Sequence, residues 1–231
     1  MTPVLRTHPD RQRLCAAVLG VMHDTITGAL ASRGEALVGL SGGSTPIPVY
    51  RALASAQLPW DRVRFLVIDE RFVSTDEADS NEGQLRRALA PVGPTLQLIG
   101  LRGEAEEPVA AAAAANAVVA ALPRPDLLLL GMGEDGHIAS LFPQGRGCDA
   151  ARAPDQALRV MATCPEPLPA GAPHPRLTLT LSAIAAARQC LLLMTGAAKR
   201  AVYDRAASDP ALPVGDLMRA GMPPLQVHWS P

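Results

Sequence analysis

The feature of this chain that most restricts its fold is a set of short, uninterrupted apolar runs, each followed at once by glycine or charge. Asp126–Leu130 is the plainest: four consecutive leucines, then Gly131-Met132-Gly133-Glu134-Asp135-Gly136-His137. A strand with one wet face alternates apolar and polar residues, so a continuous run means burial on both faces. Glu35–Leu40, Val63–Ile68 (broken only by Arg64) and Gln189–Thr195 repeat the pattern, ending in Ser41–Pro46, Asp69-Glu70-Arg71 and Gly196–Lys199. Segments with helical spacing lie between them. Leu14, Ala17, Val18, Val21, Met22, Ile26 and Leu30 predict a helix over Asp10–Ser32, stopped by Gly34. Further helices are expected from Pro46 to about Ser55 with Thr45 as cap, at Asn81–Leu89, at Glu104–Leu122 with acidic residues in the first turn, and near Ser182–Ala187, Ala197–Ala207 and Val214–Arg219. Leu96–Leu101, Leu158–Ala162, Leu177–Leu181 and Leu225–Trp229 complete the strands.

Strands alternating with helices make an α/β fold: an open, mainly parallel sheet with helices on both faces. The first strand is expected near residue 35 and the last ends near 229. No repeat or linker divides the 231 residues, so residues 1–231 are expected to act as one domain. Open sheets of this kind bind ligands beyond the carboxyl ends of their strands. Four such ends carry the unusual residues: Ser41–Thr45, Asp69–Arg71, Gly131–His137 and Thr195–Lys199.

Composition narrows the partners. A net charge of -1 argues against a nucleic-acid or anionic-membrane binder. No apolar run reaches the ~18–20 residues of a membrane span without strong breakers, and no signal peptide is apparent. Cys15, Cys148, Cys164 and Cys190 contain no CxxC pair, which points to buried thiols in a reducing, cytoplasmic compartment rather than zinc or disulfides. Of 21 basic residues 20 are Arg; the single lysine is Lys199.

Three motifs compete for attention. Gly39-Leu40-Ser41-Gly42-Gly43 matches the serine-hydrolase elbow. An elbow, however, follows a loop that supplies oxyanion-hole amides, and here only one helix and one strand come first. Ser41, Gly42, Gly43, Ser44 and Thr45 fit better as a turn whose N–H groups cradle phosphate, or as a plain tight turn. Gly131-x-Gly133-x-x-Gly136 matches the dinucleotide fingerprint, but Pro143, Gly145 and Gly147 leave no room for the long helix it must open. No nicotinamide or other cofactor is expected. His137 lacks an HExxH partner set, so no metal is expected either. Set on a glycine-rich strand end with Asp135 two residues before it, it is suited to meet a ligand as a general base.

Taken together, these segments resemble the 6-phosphogluconolactonases, in a superfamily shared with glucosamine-6-phosphate deaminases. The resemblance rests on Leu40–Pro46, Asp69–Val73 with Asp79-Ser80-Asn81, Gly131–Pro143, Pro175–Thr180 and Gly196-Ala197-Ala198-Lys199, in that order. Ser140-Leu141-Phe142-Pro143 after the histidine loop, and Arg71 after Asp69-Glu70, both depart from the deaminase pattern.

The resemblance implies a deaminase-like, modified Rossmann fold and a small phosphorylated sugar lactone as substrate. Arg71 and Lys199 would hold its phosphate while His137 activates water. Asp135 would orient or charge the imidazole, or cap the loop. Arg176 would bind the sugar or phosphate, or pair with a carboxylate. Asn81 would touch substrate or cap its helix, and Asp69 and Glu70 would act on substrate or hold Arg71. A monomer or small homo-oligomer is expected. The competing readings are an amino-sugar phosphate deaminase using Asp69 and His137, and a phosphosugar-sensing domain, which would need a DNA-reading appendage.

Overall fold

The computed structural model describes residues 3–219 and 224–231. In chain order it contains β1 (Val4–Thr7), α1 (Arg11–Arg33), β2 (Ala36–Leu40), α2 (Ile47–Leu53), β3 (Val63–Val67), β4 (Asp69–Arg71), α3 (Asn81–Ala88), β5 (Gln97–Ile99), α4 (Pro108–Ala120), β6 (Leu127–Gly131) and β7 (Gly145–Arg146). There follow α5 (Cys148–Arg152), β8 (Val160–Pro165), β9 (Arg176–Leu179), α6 (Leu181–Ala185), β10 (Cys190–Thr195), α7 (Ala197–Ala206), α8 (Pro213–Arg219) and β11 (Leu225–Ser230).

Seven strands form a parallel sheet in the order β1-β11-β10-β6-β2-β3-β5. The predominantly apolar strands β2, β3, β6 and β10 occupy four of its five inner positions. Every residue of β2 is buried, and Leu127–Leu130 of β6 are fully so. A doubly covered sheet requires this, because its inner strands meet apolar side chains on both faces. The expected open, mainly parallel α/β sheet is therefore what the chain forms.

The periodicity of α1 is matched closely. Asp10 caps it by accepting from the Arg13 N–H at 2.7 Å, and Gly34 closes it at φ 77°. By length and composition alone α1 is apolar enough to cross a membrane. In the fold, its stripe of Leu14, Val18, Met22, Ile26 and Ala29 is buried against the sheet and α2.

Several expectations are corrected. A strand precedes residue 35: β1 pairs in parallel with β11 at the sheet edge, where Val4 stays half exposed, so no apolar run announces it. Helix α2 opens on the Pro46 carbonyl, which accepts from Val49 and Tyr50, and Thr45 makes no cap. Helix α4 starts at Pro108 rather than Glu104, since proline is tolerated in the first turn only, and the acidic residues lie before it. A second, antiparallel sheet in the order β4-β9-β8-β7 was not foreseen. Strands β4 and β7 are short and polar, and β8 and β9 mix apolar with polar residues, so none carries a continuous apolar signature.

The two sheets meet at Ile68. Its N–H donates to Leu40 of β2 at 3.1 Å, and its carbonyl accepts from Leu179 of β9 at 2.8 Å. The next three residues, Asp69–Arg71, thus start the second sheet above the carboxyl end of the first.

At the far edge His8 and His228 stack with ring centroids 5.1 Å apart and share a 3.0 Å hydrogen bond. His228 is buried, and burial, then the charges of His8 and Arg6, lowers its pKa from 6.5 to about 4. A histidine depressed in the folded state is protonated first in the unfolded chain. Stability is therefore complete above pH 6.5 and is lost as the pH falls from there towards 4. The loss over that window should be about 3 kcal/mol. Urea titrations at pH 7 and pH 5 should show about 2 kcal/mol of this fall in wild type and a much flatter response in His228→Asn.

Candidate active site

Three strand ends and two helix starts converge on a cleft of about 280 Å³. From β2 come Ser41, Gly42, Gly43, Ser44 and Thr45; from β4, Asp69 and Arg71; from α3, Asn81. The loop after β6 supplies Gly131, Met132, Gly133, His137 and Ala139, and the first turn of α7 supplies Lys199. Among the described residues, no three His, Cys, Asp or Glu side chains converge as a metal site requires.

His137 is set by its own loop. Its Nδ1 lies 2.6 Å from Asp135 Oδ1, the same oxygen accepts its backbone N–H at 3.2 Å, and Phe142 packs on the ring at 4.4 Å between centroids. A Cβ on Gly133 would sit 2.3 Å from the His137 ring and 2.5 Å from Asp135 Oδ1, so only glycine admits this pair. Burial pushes the Asp135 pKa up, but the hydrogen bond and charge of His137 outweigh it and leave the carboxyl below its ordinary value. An ionised carboxylate only accepts, so Nδ1 carries the donated proton, and in the neutral imidazole Nε2 is the nitrogen that holds the lone pair. Asp135 itself lies outside the cleft, lining a neighbouring groove with Phe142, Pro143 and Pro165–Ala170.

Arg71 is braced from behind. Its Nη1 donates to the Asp79 carbonyl at 2.7 Å and to Asn81 Oδ1 at 2.8 Å, while Asn81 Nδ2 donates to the Asp69 carbonyl at 2.7 Å. The helix cap that Asn81 was in contention for belongs to Ser80, which accepts from the Gly83 N–H. A Cβ on Gly42 would fall 1.9 Å from Asn81 Oδ1, so the first turn glycine makes room for this brace. The Lys199 side chain makes no hydrogen bond or ion pair among the described residues, and Arg71 makes no ion pair. The Gly196 carbonyl below Lys199 is held by Trp229 Nε1 at 2.9 Å.

Two carboxylates part company. Glu70 points away from the cleft and is fully buried. It accepts from the N–H groups of Arg71, Asn81 and Glu82, each at 2.7 Å, and from Ser80 Oγ at 3.0 Å. Burial raises its pKa and these four bonds pull it back. It docks β4 on the start of α3, where the helix dipole favours negative charge. Asp69 instead lines the cleft, its Oδ2 accepting from Ser140 Oγ at 2.8 Å.

One expected ligand-binding residue is not brought in. Arg176 is opposite Arg71 across the β4–β9 ladder, but it does not line the cleft. It is buried and donates to the carbonyls of Ala172, at 2.7 Å, and His174. It pairs with no carboxylate among the described residues. Burial first, and then the charge of Arg71, lowers its pKa. Ser140 was quoted within a motif and given no part; its position shows only when β4 and the histidine loop meet.

The family model described as glucosamine-6-phosphate isomerases/6-phosphogluconolactonase matches residues 9–226. The chain belongs to this family. The 6-phosphogluconolactonase of Mesorhizobium japonicum is 37% identical over 226 residues, covering 96% of this chain and 93% of that one. That of Caulobacter vibrioides is 37% identical across 99% and 98% of the two chains. A crystal structure of a 6-phosphogluconolactonase from Shewanella baltica superposes with a TM-score of 0.91 at 31% identity, covering 99% and 98%. Of the five segments that carried the family resemblance, four meet at the cleft; the fifth, around Arg176, forms the sheet behind it.

Glu70→Gln replaces one acceptor oxygen with a donor facing donors. It should destabilise the fold by about 2–4 kcal/mol, read by urea denaturation at pH 7.

Proposed function

We propose that this chain hydrolyses 6-phosphoglucono-δ-lactone to 6-phosphogluconate, as the names of its relatives suggest. The observation that carries the reading is one cleft holding a histidine with a free basic nitrogen and two cations without ion-pair partners among the described residues. A phosphorylated cyclic ester needs those parts. Arg71 offers a planar fork already braced by Asn81, and Lys199 offers a compact charge at a helix start; together they bind the phosphate dianion. The N–H groups of the Ser41–Thr45 turn add donors.

His137 Nε2 takes a proton from water as the water oxygen attacks the lactone carbonyl carbon. The tetrahedral intermediate then collapses, the bond to the ring oxygen breaks, and that oxygen takes the proton back from the imidazolium. Asp135 holds the tautomer and stabilises the transient positive charge. We place the protein in the cytoplasm, where buried thiols such as Cys148 and Cys190 stay reduced.

The test follows loss of freshly made lactone against its spontaneous hydrolysis, with glucosamine 6-phosphate as control. Wild type should consume the lactone and release no ammonia; the reverse result would establish a deaminase. His137→Ala should lower kcat by about 10²–10⁴-fold while remaining folded. Arg71→Ala and Lys199→Ala should each raise KM, and Lys199→Arg should raise it too, since a planar fork does not replace a compact ammonium. Equal KM values for the lactone with and without its phosphate would remove the clamp from the scheme.

A further inference from the structure

The loop that carries His137 returns to the body of the protein at Ser140, and every polar group of that residue is engaged. Its Oγ donates to Asp69 Oδ2 at 2.8 Å, its N–H donates to Thr178 Oγ1 at 3.1 Å, and its carbonyl accepts from Thr163 Oγ1 at 3.0 Å. These bonds reach β4, β9 and β8, the three longer strands of the antiparallel sheet. Thr178 completes the set by donating to the Leu179 carbonyl at 2.9 Å. Ser140, Thr163 and Thr178 are buried, so water cannot stand in for a lost partner.

Two observations show that this junction serves more than packing. The preceding residue, Ala139, holds φ 47°, the only non-glycine residue with positive φ among the described residues. Such a conformation is kept only where the surroundings over-determine it, and Ala139 itself lines the cleft. Moreover, the acceptor of the Ser140 hydroxyl is no structural carboxylate. Asp69 also lines the cleft, and its second oxygen makes no hydrogen bond among the described residues.

We propose that Ser140 is a positioning residue that ties Asp69 to the His137 loop, so that an acceptor for a sugar hydroxyl and the water-activating nitrogen face one substrate at a fixed separation. With one oxygen held by Ser140, Asp69 presents the other to a hydroxyl of the polyol ring. The same residue sets where the histidine loop ends, three positions after His137. The phosphate clamp fixes one end of the substrate, and the Asp69 contact fixes the turn of the ring, hence the approach of the carbonyl to the water. This inference rests on the lactonase reading.

A double-mutant cycle on lactone hydrolysis tests it. Ser140→Ala should lower kcat by about 10- to 100-fold, the effect of a small misplacement at a reacting centre. KM should move less than about 3-fold, because phosphate binding is untouched. In the Asp69→Asn background the same change should cost less than about 2-fold, since the residue through which it acts is already altered. If Ser140→Ala does not fold, Ser140→Cys keeps the volume with a weaker donor and should show the same coupling in smaller measure. Full kcat in the folded variant, or losses that simply multiply in the double variant, would overturn the proposal while leaving the lactonase reading intact. A wild type inert on the lactone would overturn both.

Discussion

One residue, Ile68, belongs to two sheets, and the active-site geometry depends on that double membership. Its N–H completes the parallel ladder and its carbonyl begins the antiparallel one. The strand cannot continue straight, because both of its backbone groups are already committed to different neighbours. Asp69 and Arg71 are therefore lifted over the carboxyl end of β2, where they face the turn and the histidine loop. Glu70 alternates to the other side, as strand geometry demands, and locks α3 beneath them. A displacement at Ile68 would move the acceptor, the guanidinium and its Asn81 brace together.

The charges divide by engagement. Arg152 pairs with Asp216, Arg33 with Asp126 and Arg64 with Glu35, as expected of side chains that serve the fold. Arg71 and Lys199 meet no carboxylate among the described residues, and both line the cleft. A net charge near zero is thus compatible with a local cationic clamp, because Asp69 is the one carboxylate lining the cleft among the described residues and the other acids named here are bound elsewhere. The dyad adds a directional element: Asp135 sits behind His137, so the basic nitrogen is the one left for the cleft.

Much of the central sheet was legible because its inner strands are buried on both faces, and burial on both faces forces uninterrupted apolar runs. The glycine-rich turns after β2 and β6 were legible for a related reason: they mark where the chain leaves that buried layer. Strand β1 was not, since an edge strand with one wet side needs no such run. The β4-β9-β8-β7 sheet was not: strands near β8 and β9 were expected, but the pairing that makes them a separate sheet over the cleft joins β4 to β9, about a hundred positions away, through backbone bonds that leave little trace in side-chain type.

The sequence by itself determined the α/β class, the four strand ends that carry chemistry, and the types present there: His137 with Asp135, Arg71, Lys199 and the Ser41–Thr45 turn. Local spacing and hydrophobic burial are enough for that. Only the tertiary structure decided which neighbours serve the cleft and which serve the frame. Glu70 and Arg176 look as functional in the sequence as Asp69 and Arg71, yet one holds a helix start and the other two loop carbonyls. Ser140 looks like a loop residue, yet it joins three strands and the histidine loop. The physical reason is that a side chain's role follows from which partner satisfies its hydrogen bonds, and those partners come from distant parts of the chain.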